Sequence, residues 1–306
     1  MARVAIVIVT YNSAAEVGPC LDALRELDNV EILVIDNASA DDTCGEVVRR
    51  QVRLIANPVN AGFAAAVNQG VRATNAPLVL LLNPDAHLVS GLDALESCFE
   101  TAGTGAAGGM LVGADGKPQR GFMARNLPTA TTLVFEVLGI NRLWPSNRVN
   151  WHYRCLGLDP MAPGLVDQPA GAFLMFSRAA WDRIGGFDER FWPLWFEDVD
   201  FCNRLKAAGF CSYYNSTSVA KHAGSHSIRA LSLENRQKYW YGSLLKYAGK
   251  HYRSSAFRTI CASVVVGAVL RAVVGFPREG PKALVVYGGV IGLALSRLFG
   301  FGEASG

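Results

Sequence analysis

The sequence predicts an α/β protein built on a mostly parallel sheet with helices on both faces, followed by an apolar helical tail. Three observations lead there. Short, continuously apolar runs (residues 4–9, 30–35, 52–55 and 78–82) alternate with helical stretches at 14–27, 41–50 and 61–74. Strands apolar throughout belong to parallel sheets covered on both sides. A second ordered block follows residue 170, and two further apolar stretches, 259–276 and 283–301, close the chain. A length of 306 residues suits one large α/β domain with an appendage. The expected division is a domain over 1–228, with halves 1–115 and 116–228, and a tail over 229–306.

Along the chain, Ser13 is placed to cap the first helix, and Ser39 or Asp41 the second. Ligands of such sheets sit beyond the carboxyl ends of the strands. Those ends read Thr10-Tyr11-Asn12, Asp36-Asn37-Ala38-Ser39, Asn57-Pro58-Val59-Asn60 and Asn83-Pro84-Asp85, all polar and short-sided. From Gly103 to about Pro169 turn signals and scattered aromatics predict irregular structure lining a second site. Residues 172–177 read as a strand, and 178–184 as a helical turn ended by Gly185-Gly186. A helix opens in the acidic segment near 197 and is closed by Gly209. Residues 210–214 read as a strand, and 221–227 as a polar loop.

Half the residues are hydrophobic and 18% are charged, which excludes a disordered or collagenous chain. The seven cysteines are scattered without a C-x-x-C pair. That argues against a zinc ribbon or a disulfide scaffold and suits a reducing cytoplasm. The apolar run at the N-terminus is too short for a signal-peptide core and reads as a buried strand. The net charge of +3 hides an asymmetry: residues 229–306 carry eleven Lys/Arg against three Asp/Glu, the rest eighteen against twenty-three. An acidic body argues against nucleic acid as a partner. A basic, apolar tail fits attachment to an anionic membrane surface. Its two stretches are marginal for spanning. Lying in the interface is the preferred reading; a short spanning or re-entrant hairpin and a buried helix pair stay open.

Several residues carry chemistry. Asp85, ending a strand two residues after Asn83, is placed to hold a divalent cation bridging phosphates; the alternative is plain turn chemistry. Asp36 is placed to accept from a nucleobase N–H, with Thr10 and Asn12 closing the pocket, or else forms an Asx turn. Asn60-x-Gly62-Phe63, with Asn68, sets amides at a helix start, where backbone N–H groups attract phosphate. No G-x-G-x-x-G occurs, which disfavours a dinucleotide. In Trp195-Phe196-Glu197-Asp198-Val199-Asp200, three carboxylates among aromatics would raise one another's pKa, as a general base requires. The alternative is an acidic helix start favoured by the dipole, with Asp200 paired to Arg204 one turn on. His222 and His226 are either structural or metal-ligating.

In this order the pieces resemble the inverting family 2 glycosyltransferases of the GT-A fold. The resemblance is carried by residues 9–12, 34–39, 60–63, 82–85, 185–189 and 197–200, and it covers residues 3 to about 228. Within the family the chain is most similar to rhamnosyltransferases that use dTDP-L-rhamnose, through Asn83-Pro84-Asp85, residues 125–129 and residues 221–227. The resemblance implies that Thr10, Tyr11, Asn12, Asp36, Asn60, Gly62, Phe63, Asn68, Asn83 and Asp85 bind the nucleotide-sugar. Asp85 and His222 would hold Mg²⁺ or Mn²⁺, Asp198 would be the base, and Glu197 would orient the acceptor. Trp195, Phe196 and Arg204 would lie on the acceptor side. One departure is Asn83 in place of the first acid of Asp-x-Asp, which removes a charge. Implied partners are a dTDP-sugar and a polyprenyl-diphosphate-linked saccharide at the cytoplasmic face of a membrane; a homodimer is allowed for. Rival readings are a UDP-hexose donor on the same scaffold, a catalytically silent carbohydrate-binding protein, and a glycosidase, for which no second carboxylate pair is evident.

Overall fold

A computed structural model describes residues 2–224 and 231–299. It divides into two compact units: residues 1–127, 154–193 and 197–230 form the first, and residues 128–153, Leu194–Phe196 and 231–306 the second.

The first unit begins as its periodicity predicts: β1 (Val4–Thr10), α1 (Ala14–Asp22), β2 (Val30–Asp36), α2 (Thr43–Arg49), β3 (Arg53–Ala56), α3 (Phe63–Arg72) and β4 (Leu78–Leu82). Next come β5 (Ala86–Ser90), α4 (Leu92–Ser97), β6 (Thr104–Val112) and β7 (Ala124–Arg125). The second unit interrupts with α5 (Ala130–Leu138), α6 (Ile140–Leu143) and α7 (Arg148–Tyr153). The first resumes with β8 (Gly164–Val166), β9 (Gln168–Pro169), β10 (Phe173–Ser177), α8 (Arg178–Ile184), α9 (Glu197–Ala207) and β11 (Cys211–His222).

Among the described residues nine strands make one sheet, ordered β3-β2-β1-β4-β10-β6-β11-β5, with β8 on β11. β1, β2, β3 and β4 pair in parallel, as do β6 and β11, whereas β10 runs antiparallel to both β4 and β6. Alternate residues of β1 enter different cores: Val4, Ile6 and Ile8 on one face, Ala5, Val7 and Val9 on the other. Covering both faces is what makes the run continuously apolar. Each fully buried aliphatic side chain contributes about 1.5–3 kcal/mol.

Two expectations are corrected. The stretch after Gly103 is not irregular at its start, because β6 is buried along its whole length in the middle of the sheet. Its sequence, Thr-Gly-Ala-Ala-Gly-Gly-Met-Leu-Val, lacks the bulk that marks a core strand, because its glycines make room for neighbours: a Cβ at Gly108 would meet Pro169 at 2.5 Å and at Gly109 the Phe173 ring at 2.4 Å. Lys221 and His222 are not loop residues either; they end β11, a strand of twelve residues. His226 lies outside the described residues.

In the second unit, α10 (Leu233–His251), α11 (Ser254–Glu279) and α12 (Pro281–Phe299) follow one another. α11 packs against α5 at Gly267, where a Cβ would meet the Val137 carbonyl oxygen at 2.0 Å. Arg271 donates to the Val137 and Glu136 carbonyls at the C-terminal end of α5. The charge that interrupts the apolar stretch is therefore a helix cap inside the unit. α11 and α12 are both long and apolar enough to cross a membrane, yet only 33% and 22% of their apolar windows are buried. Most of each window is exposed within the unit.

Candidate active site

The carboxyl ends of β1 and β2 are locked together. Thr10 and Asp36 are register partners, and the Thr10 hydroxyl donates to Asp36 Oδ1 at 2.9 Å. Ser39 adds its backbone N–H to Oδ2 at 2.9 Å and its hydroxyl to Oδ1 at 2.5 Å. Burial and the neighbouring Asp36 carboxylate push the Cys44 thiol up to about 11. Asn12, at φ 50°, accepts from Ala40 N–H on its Oδ1 at 2.7 Å and donates its own N–H to Ser39 Oγ at 2.8 Å. Asp36 is thus preoriented, with most of its acceptor capacity used locally. Tyr11 beside it is exposed.

The start of α3 differs from expectation. Asn37 Oδ1 accepts the Ala61 N–H, Asn60 Oδ1 accepts the Gly62 N–H, and the Pro193 carbonyl accepts the Phe63 N–H. Three amides expected at phosphate are already satisfied within the protein. Gly62 has φ 91°, and a Cβ there would meet Trp192 Cδ1 at 2.7 Å, so the indole covers this helix start. Asn68 is also withdrawn from ligand binding: it donates to the Phe187 carbonyl and Glu189, accepts from Phe187 N–H and Trp181 Nε1, and is 1% exposed. It ties α3 to the turn after α8.

Asp85 follows β4, buried, with Oδ1 3.5 Å from His222 Nε2 at the end of β11. Gln119 grips His222 twice: its Oε1 lies 3.0 Å from Nδ1, and its Nε2 donates to the His222 carbonyl at 2.8 Å. Phe122 stacks on the ring at 5.2 Å. A donated Nδ1–H leaves the Nε2 lone pair on the Asp85 side, which is how metal-ligating histidines are held. Among the described residues no cluster of three or more His, Cys, Asp and Glu forms. One carboxylate plus one imidazole fits a divalent ion completed by diphosphate and water.

The acidic segment opens α9. Asp198 Oδ2 accepts from Gln168 Nε2 at 3.0 Å and Gly171 N–H at 3.2 Å, and Oδ1 from Val199 N–H at 2.8 Å. The next carbonyl after Gly171, that of Ala172, accepts the Asn83 N–H at 3.0 Å. Two successive residues, Gly171 and Ala172, therefore link Asp198 to the strand end bearing Asp85. The preceding Trp195 and Phe196 both hold positive φ, 74° and 67°. Non-glycine residues pay about 1–2 kcal/mol each in that conformation, a strain found at functional sites.

Arg204 is corrected from the acceptor side to a structural role. Its Nε reaches Asp200 at 2.7 Å and its Nη1 the Ile184 carbonyl at 2.8 Å, with Asp200 fully buried. Phe196 packs on Trp240 and Tyr247, and both Trp195 and Phe196 belong to the second unit. Glu197 Oε2, Gln168 Oε1 and Arg204 Nη2 are buried without a partner among the described residues. Native folds rarely leave such atoms unless water or a ligand completes them.

Burial, and then the Asp198 charge, raise Glu197 well above its ordinary value of 4.5. The native state thus holds a proton that the unfolded chain releases above that value. Stability is fully present below pH 4.5 and falls as pH rises toward the native pKa. Glu197→Gln is expected to gain on the wild type in melting temperature as pH rises from 4.5 to neutrality. A constant difference across the range would show that Glu197 ionises freely.

Gln119 and Gln168 escaped the sequence reading. Each acts across a large separation, 103 and 30 residues, which no local pattern encodes.

Residues 5–161 match the family model described as glycosyl transferase family 2, and residues 163–221 the one described as N-terminal domain of galactosyltransferase. An N-acetylglucosaminyl-diphospho-decaprenol L-rhamnosyltransferase of Mycobacterium tuberculosis is 32% identical over 240 residues, covering 72% of this chain and 76% of that one. A low-salt glycan biosynthesis hexosyltransferase, Agl10 of Haloferax volcanii, is 23% identical over 206 residues, 66% of this chain and 61% of its own. Among solved structures, a mannosyltransferase of Pyrobaculum calidifontis in complex with GDP-Man and Mn²⁺ superposes with a TM-score of 0.54 at 16% identity, over 97% of this chain and 87% of that one. At that identity the likeness concerns the fold.

Proposed function

The chain belongs to glycosyl transferase family 2, and on that premise we propose that it transfers L-rhamnose from dTDP-L-rhamnose, with inversion, to a hydroxyl of a polyprenyl-diphosphate-linked saccharide. The sugar and the acceptor class are supported by the mycobacterial rhamnosyltransferase. The chemistry is supported above all by the Asp198 carboxylate, held by Gln168 and Gly171, with Ala172, the residue after Gly171, bonded to the Asp85 strand end.

Asp198 takes the proton of the acceptor hydroxyl as that oxygen forms a bond to the anomeric carbon. The bond from that carbon to the diphosphate oxygen breaks on the opposite face, and dTDP leaves with the electron pair. One displacement inverts the configuration. Asp36, fixed by Thr10 and Ser39, offers its remaining acceptor capacity to the base. Tyr11 and Asn12 flank it, and Asn83 sits at the sugar-diphosphate edge. Asp85 and His222 would hold Mg²⁺ or Mn²⁺, which when bound supplies positive charge at the leaving diphosphate. The satisfied amides at 61–63 leave that neutralisation to this pair.

The tail supports a peripheral placement on the cytoplasmic face of a membrane, where a polyprenyl-linked acceptor resides. α11 and α12 each expose one apolar stripe, Val266, Val269, Leu270, Val273, Val274 and Phe276 on the first, Leu284, Val285, Leu295 and Phe299 on the second. Arg271 is occupied on α5, which fits helices lying along an interface.

A panel of nucleotide-sugars with Mg²⁺, read by NMR of the product, tests this. Rhamnose delivered from the dTDP donor with inverted anomeric configuration is the expected result. Turnover with a UDP-hexose alone would overturn the donor, and retained configuration would overturn the single displacement.

A further inference from the structure

The stretch from Ile140 to Tyr153 within the second unit, made of α6, α7 and the turn between them and called here the α6–α7 loop, is built inside out. Its asparagines are buried and its largest apolar residues face solvent. Asn141, Asn147 and Asn150 are 5%, 3% and 3% exposed, whereas Leu143, Trp144 and Trp151 are 86%, 62% and 51% exposed. The asparagines form a closed network. Asn147 Nδ2 donates to Asn141 Oδ1 at 3.0 Å and to the Trp144 carbonyl at 2.6 Å. Asn150 donates its N–H to Asn147 Oδ1 at 2.9 Å and its Nδ2 to the Pro145 carbonyl at 2.7 Å, and Asn141 Nδ2 reaches Glu136 at 2.8 Å. Such a network makes the turn rigid. Leu143 and Trp144 are therefore presented to solvent by construction, and an exposed apolar cluster on a rigid support marks an interaction surface.

Charge decides the partner. Between Glu136 and Asp159 no acidic residue occurs, while Arg142 and Arg148 flank the exposed pair. Tryptophan with arginine matches the headgroup layer of a bilayer, the indole at the interface and the guanidinium on lipid phosphate. Position agrees. α6 starts at Gly139, where a Cβ would lie 3.7 Å from the Arg271 guanidinium. Arg271 stands in the middle of α11, between the exposed Val269-Leu270 and Val273-Val274 pairs. The start of α6, four residues before Leu143, therefore adjoins the middle of α11.

We propose that the α6–α7 loop, through Leu143, Trp144 and Trp151 with Arg142 and Arg148, is a membrane anchor that inserts into the headgroup region of an anionic bilayer. It deepens the membrane placement proposed above, adding a contact more than a hundred residues before the C-terminal stripes.

The test is co-sedimentation of the full chain with phosphatidylcholine vesicles prepared with and without phosphatidylglycerol. Leu143→Ser with Trp144→Ser is expected to lower partitioning at least about tenfold. Arg142→Gln with Arg148→Gln should cut the preference for phosphatidylglycerol by about fivefold per arginine. Unchanged transfer to a water-soluble acceptor, together with an unshifted melting temperature, establishes that these variants fold. Val273→Ser with Val274→Ser separates the two readings. Loss of binding in that variant while the Leu143/Trp144 variant binds like wild type would overturn the loop anchor and leave the helix stripe standing. A wild-type chain that binds neither vesicle would overturn both. So would Leu143→Ser/Trp144→Ser abolishing self-association in a protein that ignores vesicles, since the surface would then belong to a second copy.

Discussion

Asp198→Asn is expected to lower transfer by about 10²–10⁴-fold, the range that a positioned general base supplies, while donor affinity stays within about twofold. Asparagine keeps the size of the side chain and an oxygen for Gln168 and Gly171, but it takes no proton. The split between binding and turnover is what distinguishes a base from a structural carboxylate, and initial rates with donor titration read both. Turnover near the wild-type level would remove Asp198 from the reaction. Glu197→Gln provides the internal comparison. Because burial favours the protonated acid at 197, a neutral isostere is expected to cost far less turnover than Asp198→Asn. The reverse order would transfer the role to Glu197.

Asp85→Ala is expected to abolish the Mn²⁺-dependent part of dTDP binding, seen as the same weak affinity with and without the ion. Direct Mn²⁺ titration by electron paramagnetic resonance, in the presence of dTDP, reads this without turnover. His222→Ala should follow in the same direction. Gln119→Leu should lower Mn²⁺ affinity by about 10–100-fold, since it frees the ring whose Nδ1 now lies 3.0 Å from Gln119 Oε1. Donor binding that remains Mn²⁺-dependent in Asp85→Ala would place the ion elsewhere.

The strand ends were legible because a buried parallel strand must be apolar throughout and polar residues stop it. Thr10 and Asp36 end β1 and β2, and Asp85 follows β4, where that pattern puts them. The acid cluster at 197–200 was legible as a local pattern, but its division of labour was not. Asp198 is half-buried and held by donors, whereas Glu197 and Asp200 are buried, and the three acids look alike until the fold separates them. Asn68 and Arg204 misled for the opposite reason. A polar side chain within a helix or one turn after an acid is compatible with ligand binding; packing gave Asn68 the partners Phe187 and Trp181, and for Arg204 it favoured the Asp200 pair that the i,i+4 spacing had offered as the alternative.

Periodicity, strand-end chemistry and the charge contrast between body and tail are properties of neighbours in the chain, and they determined the α/β class, the polar strand ends and the basic apolar tail. Contacts across 30, 103 or 134 residues decided the rest: Gln168 on Asp198, Gln119 on His222, Arg271 on the end of α5. The same holds for the turn that hides its asparagines and shows its tryptophans. Which face of a polar or aromatic residue meets water is set by what packs behind it, and that information is absent from any short window of sequence.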